Sequence, residues 1–378
     1  MDLIFFLPEL GIGGAERQFS QLASRLARRG HYVSFLTVFP GGANWEWLEA
    51  RGGVALISLV RSKAWRRPGR AGQLFLAAAR LAGLTRGRGR FILYSAMNLA
   101  NVMAWLAVRL NRRVRLVWGV RASDMSLNWY HALPFWWGAL VSPTVPLLIA
   151  NSRFGLEHHR RLGYRPGRSL VIPNGVDTDL FRPDREAGRR LRREWGVAEE
   201  EQLVGLVARV DPVKDHAAFL RAASRLGSRQ PLARFVCVGG GPEPLLTGLK
   251  NLAAELGLGR RLIWAGDRPD MAAVYNALDV AVSCSTSEGF SNTLSEAMSC
   301  GVPVVATDVG DSNWLVGRAG QVVGPGDPEA LERAMSAVLS QPKETLGLIG
   351  RQRIISEFSL NALIDRTEEA LNSLQADG

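Results

Sequence analysis

Cysteine is scarce and badly spaced for covalent or metal chemistry. The chain of 378 residues holds three, Cys237, Cys284 and Cys300, all in apolar stretches of its second half. An odd, widely separated set excludes a disulfide framework or zinc spacing and reads as small core residues in a reducing compartment. Long hydrophobic runs are also missing. No stretch of about 20 uninterrupted apolar residues exists, so no spanning helix is expected. The nearest candidate, Leu133 to Ala150, is broken by Pro134, Pro143 and Pro146, and reads as a helix end, a turn and a strand over Leu147 to Ala150. Met1 to Pro8 is too short an apolar run for a signal peptide and carries an acid at its second position, so it reads as a first buried strand. There is no short-period repeat and no low-complexity segment.

Acidic residues are short in one half only. Residues 1–168 hold 24 Lys+Arg and 7 Asp+Glu, a balance of +17; the remainder holds 22 and 28, or −6, and the two sum to the formal +11. The basic residues cluster at Arg61, Lys63, Arg66, Arg67 and Arg70, with Trp65 among them, then at Arg86, Arg88 and Arg90, then over Arg109 to Arg115. A basic face beside aromatics fits docking on an anionic membrane surface, worth about 1 kcal/mol per well-placed residue. The plainer alternative is a solvated arginine-rich surface. No nucleic-acid partner is expected, because no recognised module accompanies the charge.

The length suits two domains, each able to bury its own core. Strand-like apolar runs alternate with amphipathic segments, the pattern of α/β domains with parallel sheets. The first half offers strands at Leu3 to Leu7, Tyr32 to Val38, Val54 to Leu59, Phe91 to Tyr94, Leu116 to Gly119 and Leu147 to Ala150, with helices clearest at Ala15 to Arg29 and Ala71 to Leu84. The second offers strands at Leu203 to Ala208, Phe235 to Val238, Leu262 to Ala265, Val280 to Ser283, Val304 to Ala306 and Gln321 to Val323. Its helices fall at Asp215 to Leu226, Leu245 to Leu256, Met271 to Ala277, Asn292 to Ser299 and Pro328 to Ser340, and the tail Leu346 to Leu374 is helical in pattern. The boundaries follow: residues 1–170 form a first domain, 171–184 a linker with two prolines and a glycine, and 185–357 a second domain.

One segment carries the chemistry. Glu288-Gly289-Phe290-Ser291-Asn292-Thr293-Leu294-Ser295-Glu296 follows a strand and opens a short helix. Glu288 then stands on the loop at the strand's C-terminal edge, where ligands of open parallel sheets bind, and Glu296 stands on the helix. The free N–H groups of Asn292, Thr293 and Leu294 at the helix start suit an anionic phosphate. A carboxylate on either side of that phosphate suits a sugar nucleotide, with hydroxyls at both ends. Arg209 and Lys214 flank Val210-Asp211-Pro212-Val213 at the edge of another strand, where two cations can hold both phosphates and stabilise charge as a glycosidic bond breaks. Gly13 and Gly14, between the first strand and first helix, let backbone N–H groups approach a phosphate or an acceptor. Glu16 follows in the first turn.

These motifs resemble those of the retaining glycosyltransferases of family four. So do Ile172-Pro173-Asn174-Gly175-Val176-Asp177, Phe181-Arg182-Pro183, Asp308-Val309-Gly310 and Gly324-Pro325-Gly326-Asp327-Pro328, and the likeness covers nearly the whole chain. It implies the GT-B fold: two Rossmann-like domains facing an interdomain cleft, with a C-terminal helix, here 358–378, crossing back to the first domain. It implies that Glu288 contacts the donor sugar, that Gly289 and Phe290 offer it backbone N–H groups, that Ser291 to Leu294 bind the diphosphate, and that Glu296 takes the ribose hydroxyls. Front-face attack is favoured by the resemblance, and a covalent intermediate on Glu288 is the other route these residues permit. Where many relatives carry a histidine, this chain reads Gly119-Val120-Arg121-Ala122-Ser123-Asp124, so no catalytic histidine is transferred; Arg121, Ser123 or Asp124 contact the sugar or acceptor instead. Asp177-Thr178-Asp179 imitates a metal motif but lies in the linker and reads as a turn, so neither metal nor cofactor is expected. The implied activity moves a hexose or N-acetylhexosamine from a nucleotide-diphosphate sugar, UDP-linked by expectation, to a lipid-linked or polysaccharide acceptor of a bacterial surface. The implied place is cytoplasmic, on the inner face of the membrane. A sugar-nucleotide epimerase of similar shape and a non-catalytic sugar-nucleotide-binding partner subunit are the rival readings.

Overall fold

The computed structural model describes the backbone of residues 1–60, 70–86, 89–109, 111, 113–121 and 129–376, and the side chains of the same residues except 70–75, 129–132 and 376. The chain divides into two compact units, Met1–Gly175 with Leu363–Gly378, and Val176–Ala362.

The first unit holds seven strands: β1 (Asp2–Leu7), β2 (Tyr32–Thr37), β3 (Val54–Ser58), β4 (Phe91–Ala96), β5 (Val114–Val120), β6 (Leu147–Ala150) and β7 (Arg168–Val171). They pair in parallel in the order β3-β2-β1-β4-β5-β6-β7. Leu3 to Leu7 of β1 are all buried, as a strand covered on both faces requires. On the helix Gly14–Arg28, Phe19, Leu22, Ala23 and Leu26 form the inward stripe at 3.6-residue spacing. Phe19 stands edge-on to Phe5 (5.8 Å) and Tyr94 (4.9 Å), which fixes that helix over the sheet centre. The last helix, Leu360–Ala376, bonds to this unit through Asp365 and Glu368, which accept from Arg29 at 2.6 and 2.5 Å.

The second unit holds β8 (Gln202–Val207), β9 (Ala233–Val238), β10 (Leu262–Gly266), β11 (Val280–Ser283), β12 (Val304–Thr307) and β13 (Gly320–Val323), parallel in the order β10-β9-β8-β11-β12-β13. Both sheets thus start in the middle, run to one edge, return and run to the other, the Rossmann-like order. The strand pair at which direction reverses is β1/β4 in one unit and β8/β11 in the other.

The expected strands are present, and β7 is additional; only four residues long and begun by an arginine, it carries little apolar pattern. Helices Ala43–Arg51, Asn98–Val108, Arg153–Arg161 and Arg185–Glu194 were also not anticipated. The tail, read as one helical run, is two helices, Lys343–Glu357 and Leu360–Ala376. Val176 breaks it: its N–H donates to the Phe358 carbonyl (2.9 Å) and its carbonyl accepts from Leu360 (2.7 Å), a bridge that a continuous helix could not make.

Candidate active site

At the β8/β11 reversal the loops leaving the two strands run side by side, the position where parallel α/β sheets take ligands. After β8, Asp211 organises its own loop. It accepts from the Val213 N–H (3.1 Å) and from Arg209 Nη2 (2.9 Å), and these bonds hold its carboxyl below the usual range. Pro212–Lys214 is one turn of 3-10 helix, and Asp215, at φ +44°, caps the helix His216–Arg229 by accepting from Ala218 N–H at 3.1 Å. Aspartate tolerates this left-handed backbone better than most residues. Burial lowers the pKa of buried His216, although its bond to the Ala208 backbone works the other way.

The two loops are stitched together. Thr286 N–H donates to the Val213 carbonyl (2.8 Å), and the Cys284 thiol donates to the Lys214 carbonyl (3.2 Å). This brings Lys214 Nζ into an ion pair with Glu288 Oε1, which also accepts from Ser285 Oγ at 3.0 Å. The pair is largely enclosed, the Lys214 side chain being 27% and the Glu288 side chain 14% exposed. Arg209 is different, 75% exposed and reaching from the same loop.

Glycines at two turns let neighbouring backbone approach these loops closely. Gly310 has φ +57°, and a Cβ there would collide with the Glu288 carbonyl oxygen. Asp311 N–H donates to the Gly289 carbonyl (3.1 Å), so the turn after β12 braces the Glu288 loop from behind. Gly239, at φ +128°, similarly leaves room for the Ala208 carbonyl, and Gly240 accepts from Val210 N–H at 2.8 Å. Sequence reading passed over Gly239-Gly240-Gly241, although three glycines directly after a strand are a visible signal. It also passed over Asp211, Ser285 and Thr286, whose roles are contacts between loops.

Ser291 caps the helix Asn292–Ser299, accepting from Leu294 N–H at 3.4 Å, and that helix starts at the end of the Glu288 loop. Phe290 and Leu294 send their side chains into the core, which leaves only their backbone for ligands. Glu296 is not a surface residue. It is 5% exposed and accepts from the buried Tyr275 hydroxyl at 2.8 Å.

In the first unit, Gly13 caps the helix Gly14–Arg28, and the Glu16 carboxylate folds back into the space that a Gly13 side chain would fill. Burial, with Glu9 nearby, raises the Glu16 pKa, although a bond to its own amide opposes this. Arg121, at the end of β5, lies 4.7 Å over the Phe19 ring and donates to Tyr94 Oη (3.2 Å) and Asn174 Oδ1 (3.0 Å). Gln18 grips Gly175 both ways, donating to its carbonyl (2.9 Å) and accepting from its N–H (3.0 Å). The Asn174-Gly175 motif is therefore anchored to the first helix. Ser123 and Asp124 lie outside the described residues, as do Arg61 to Arg67, Arg88 and Arg112 of the basic clusters. Asp177 Oδ1 accepts from Asp179 and Leu180 N–H groups, both at 3.2 Å, closing a turn. The three cysteines are buried, and burial pushes the Cys284 and Cys300 thiols up to about 12.

Residues 12–180 match the family model described as Glycosyltransferase Family 4, and residues 201–341 match that described as Glycosyl transferases group 1. Each model matches less than half of the chain. The chain is 37% identical over 209 residues to D-inositol 3-phosphate glycosyltransferase 2 of Catenulispora acidiphila, covering 52% of this chain and 48% of that one. It is 32% identical over 214 residues to the GDP-mannose-dependent alpha-(1-6)-phosphatidylinositol monomannoside mannosyltransferase of Mycolicibacterium smegmatis, covering 53% and 55%. The chain thus spans about half the length of the curated relatives it matches. Among solved structures it resembles Anabaena HepE crystallised with UDP, at TM-score 0.85 and 24% identity, covering 99% of this chain and 100% of that one. At that identity the likeness is one of fold, and the chain has the GT-B fold.

Proposed function

We propose that the protein is a glycosyltransferase that moves a hexose or N-acetylhexosamine from a nucleotide-diphosphate sugar, UDP-linked, to a lipid-linked or saccharide acceptor of a surface glycan. We propose further that it retains the anomeric configuration and needs no metal. One observation carries the reading: at the β8/β11 reversal, Lys214 meets Glu288, with Arg209 on the same loop as Lys214 and the helix Asn292–Ser299 starting at the end of the Glu288 loop. Arg209, Lys214 and the N-terminus of that helix would take the diphosphate, supplying the charge neutralisation that a divalent ion gives elsewhere. Glu288 would exchange Lys214 for the donor's sugar hydroxyls, and Glu296 would take the ribose. In the transfer, the bond from the anomeric carbon to the phosphate oxygen breaks and its electron pair leaves with the phosphate. The acceptor oxygen then bonds the same face, and its proton passes to the departing phosphate oxygen. Gly13, Gly14, Glu16 and Arg121 would serve the acceptor or sugar from the first unit.

The nucleotide reading draws support from the Anabaena protein, crystallised with UDP-glucose as well as UDP. A second reading, GDP-mannose transfer to an inositol-phosphate acceptor, draws support from the curated relatives. The basic balance of residues 1–168 supports a place on the inner face of the cell membrane, facing the cytoplasm.

Slow donor hydrolysis, followed by nucleotide release for UDP-glucose, UDP-N-acetylglucosamine and GDP-mannose, tests the reading. A UDP sugar should be cleaved, at a rate unchanged by EDTA. Cleavage of GDP-mannose alone would replace the first reading with the second. Stabilisation by a nucleotide sugar with no cleavage of any would leave a binding subunit, and conversion of the donor to its epimer would leave an epimerase.

A further inference from the structure

The helix Trp129–Val141 turns an apolar face to solvent. Leu133 is 67% exposed, Trp136 54%, Trp137 47% and Leu140 71%, at positions i, i+3, i+4 and i+7 of one stripe. These are the only exposed side chains among the helix's described ones. The opposite stripe is already satisfied: Phe135 is buried, its carbonyl accepting from Tyr164 Oη at 3.0 Å, and Ala139 is buried beside it. A surface helix ordinarily turns polar residues outward. The patch continues onto the helix Asn98–Val108, where Trp105 meets Trp137 edge-on at 6.4 Å and Leu106 is 49% exposed.

Arginines frame this face. Arg109 lies over the Trp105 ring at 5.4 Å. Arg165 stands where the helix ends, its N–H donating to Ser142 Oγ at 2.8 Å and its guanidinium to the Arg160 carbonyl at 2.5 Å. Across residues 51–168 the sequence holds 20 Lys+Arg against two acids, Asp124 and Glu157, and Glu157 is paired with Arg161 at 3.1 Å. A second copy would bring two such cationic rims together, which is unfavourable. An apolar stripe with tryptophans in a cationic frame suits the boundary between acidic lipid headgroups and acyl chains.

We propose that the helix Trp129–Val141 is a membrane-inserting element. Leu133, Trp136, Trp137, Leu140 and Leu106 enter an anionic leaflet while the flanking arginines contact lipid phosphates. This deepens the membrane side of the reading above and rests on it, but names a hydrophobic surface where charge alone named none.

Vesicle flotation with the whole chain tests it, using phosphatidylglycerol and phosphatidylcholine in equal parts against phosphatidylcholine alone. The variant is Leu133→Gln, Trp136→Gln, Leu140→Gln together, sparing Trp137 for its packing on Trp105. Wild-type protein should float with the mixed vesicles, and its tryptophan emission should shift to the blue. The variant's partition coefficient should fall by about tenfold or more, with melting temperature and vesicle-free donor hydrolysis unchanged. Failure of wild-type protein to bind either vesicle would remove the membrane reading as a whole. Wild-type binding matched by the variant would overturn the helix alone and leave the basic surface. If wild-type protein is a dimer by light scattering and the variant a monomer, the face joins two copies and the proposal is overturned.

Discussion

Lys214→Ala removes the cation that the structure places against Glu288. Two effects must be separated, on folding and on turnover. For folding, the side chains are 27% and 14% exposed, so the pair lies between a surface ion pair, worth about 0–1 kcal/mol, and a fully buried one, whose disruption costs about 3–5 kcal/mol. Glu288 would keep the Ser285 hydroxyl at 3.0 Å, which limits the loss to about 1–2 kcal/mol. For a unit the size of Val176–Ala362, that lowers the melting temperature by roughly 2–8 °C, and the protein stays folded at 25 °C.

For turnover, deleting one preorganised stabiliser of developing charge costs about 3–4 kcal/mol. At about 1.36 kcal/mol per decade, donor cleavage slows roughly 150- to 900-fold. Nucleotide release at saturating donor measures this directly, and the loss should fall on kcat. A cycle with Glu288→Ala and the double variant should be non-additive, because the two side chains act as one unit. A Lys214→Ala enzyme within about threefold of wild type would refute the assignment. A change confined to KM would show a phosphate anchor of the ground state, with no part in the bond-breaking step.

Arg209→Ala should leave the melting temperature within about 1 °C, its partner Asp211 being a surface pair, while weakening donor binding by calorimetry; an unchanged Kd would remove Arg209 from the phosphate site. Gly310→Ala forces alanine into left-handed backbone, costing about 1–2 kcal/mol, and pushes on the Glu288 carbonyl. Melting temperature and kcat should both fall, while Gly324→Ala, with open space around it, should alter neither. Stability should also decline in acid through His159, whose imidazole burial holds down at about 4 against an ordinary 6.5, although its bond to the Gly155 carbonyl works the other way. The unfolded chain takes up this proton first, so the contribution is whole above about pH 6.5 and gone by about pH 4, a loss of about 3 kcal/mol. His159→Leu should flatten the melting-temperature profile over that window, leaving the smaller slope of His216, which is shifted in the same direction.

The fold was legible because parallel strands buried on both faces are continuous apolar runs, and β1, β8 and β11 each read that way. The Glu288 loop was legible because its parts are local: Glu288, the Ser291 cap and the Asn292 helix start lie within five residues. What escaped was chemistry assembled across the chain. Lys214 and Glu288 are 74 positions apart, and their pairing depends on β8 lying next to β11. Gln18 and Gly175 are 157 apart. The short helices and β7 escaped because tertiary packing, more than their own pattern, supports them. Glu296 drew attention as a carboxylate on a short helix, but its burial against Tyr275 comes from a neighbouring helix, Met271–Ala277, that spacing does not connect to it.

The face of Trp129–Val141 shows a different limit. Apolar periodicity identifies an inward stripe only when the other stripe is polar, and here both are apolar. Leu133 to Ala150 reads as a helix end, a turn and a strand; the strand Leu147 to Ala150 is buried, while the helix end leaves Leu133, Trp136, Trp137 and Leu140 exposed. The sheet decides the matter. β6 sits one strand from the edge, and the helix before it can bury a single stripe, through Phe135 and Ala139. Leu133, Trp136 and Leu140 are what remains when one layer of packing is used up. That leftover apolar surface, set among arginines, is what the proposed membrane insertion rests on: lipid would be the second apolar phase it meets.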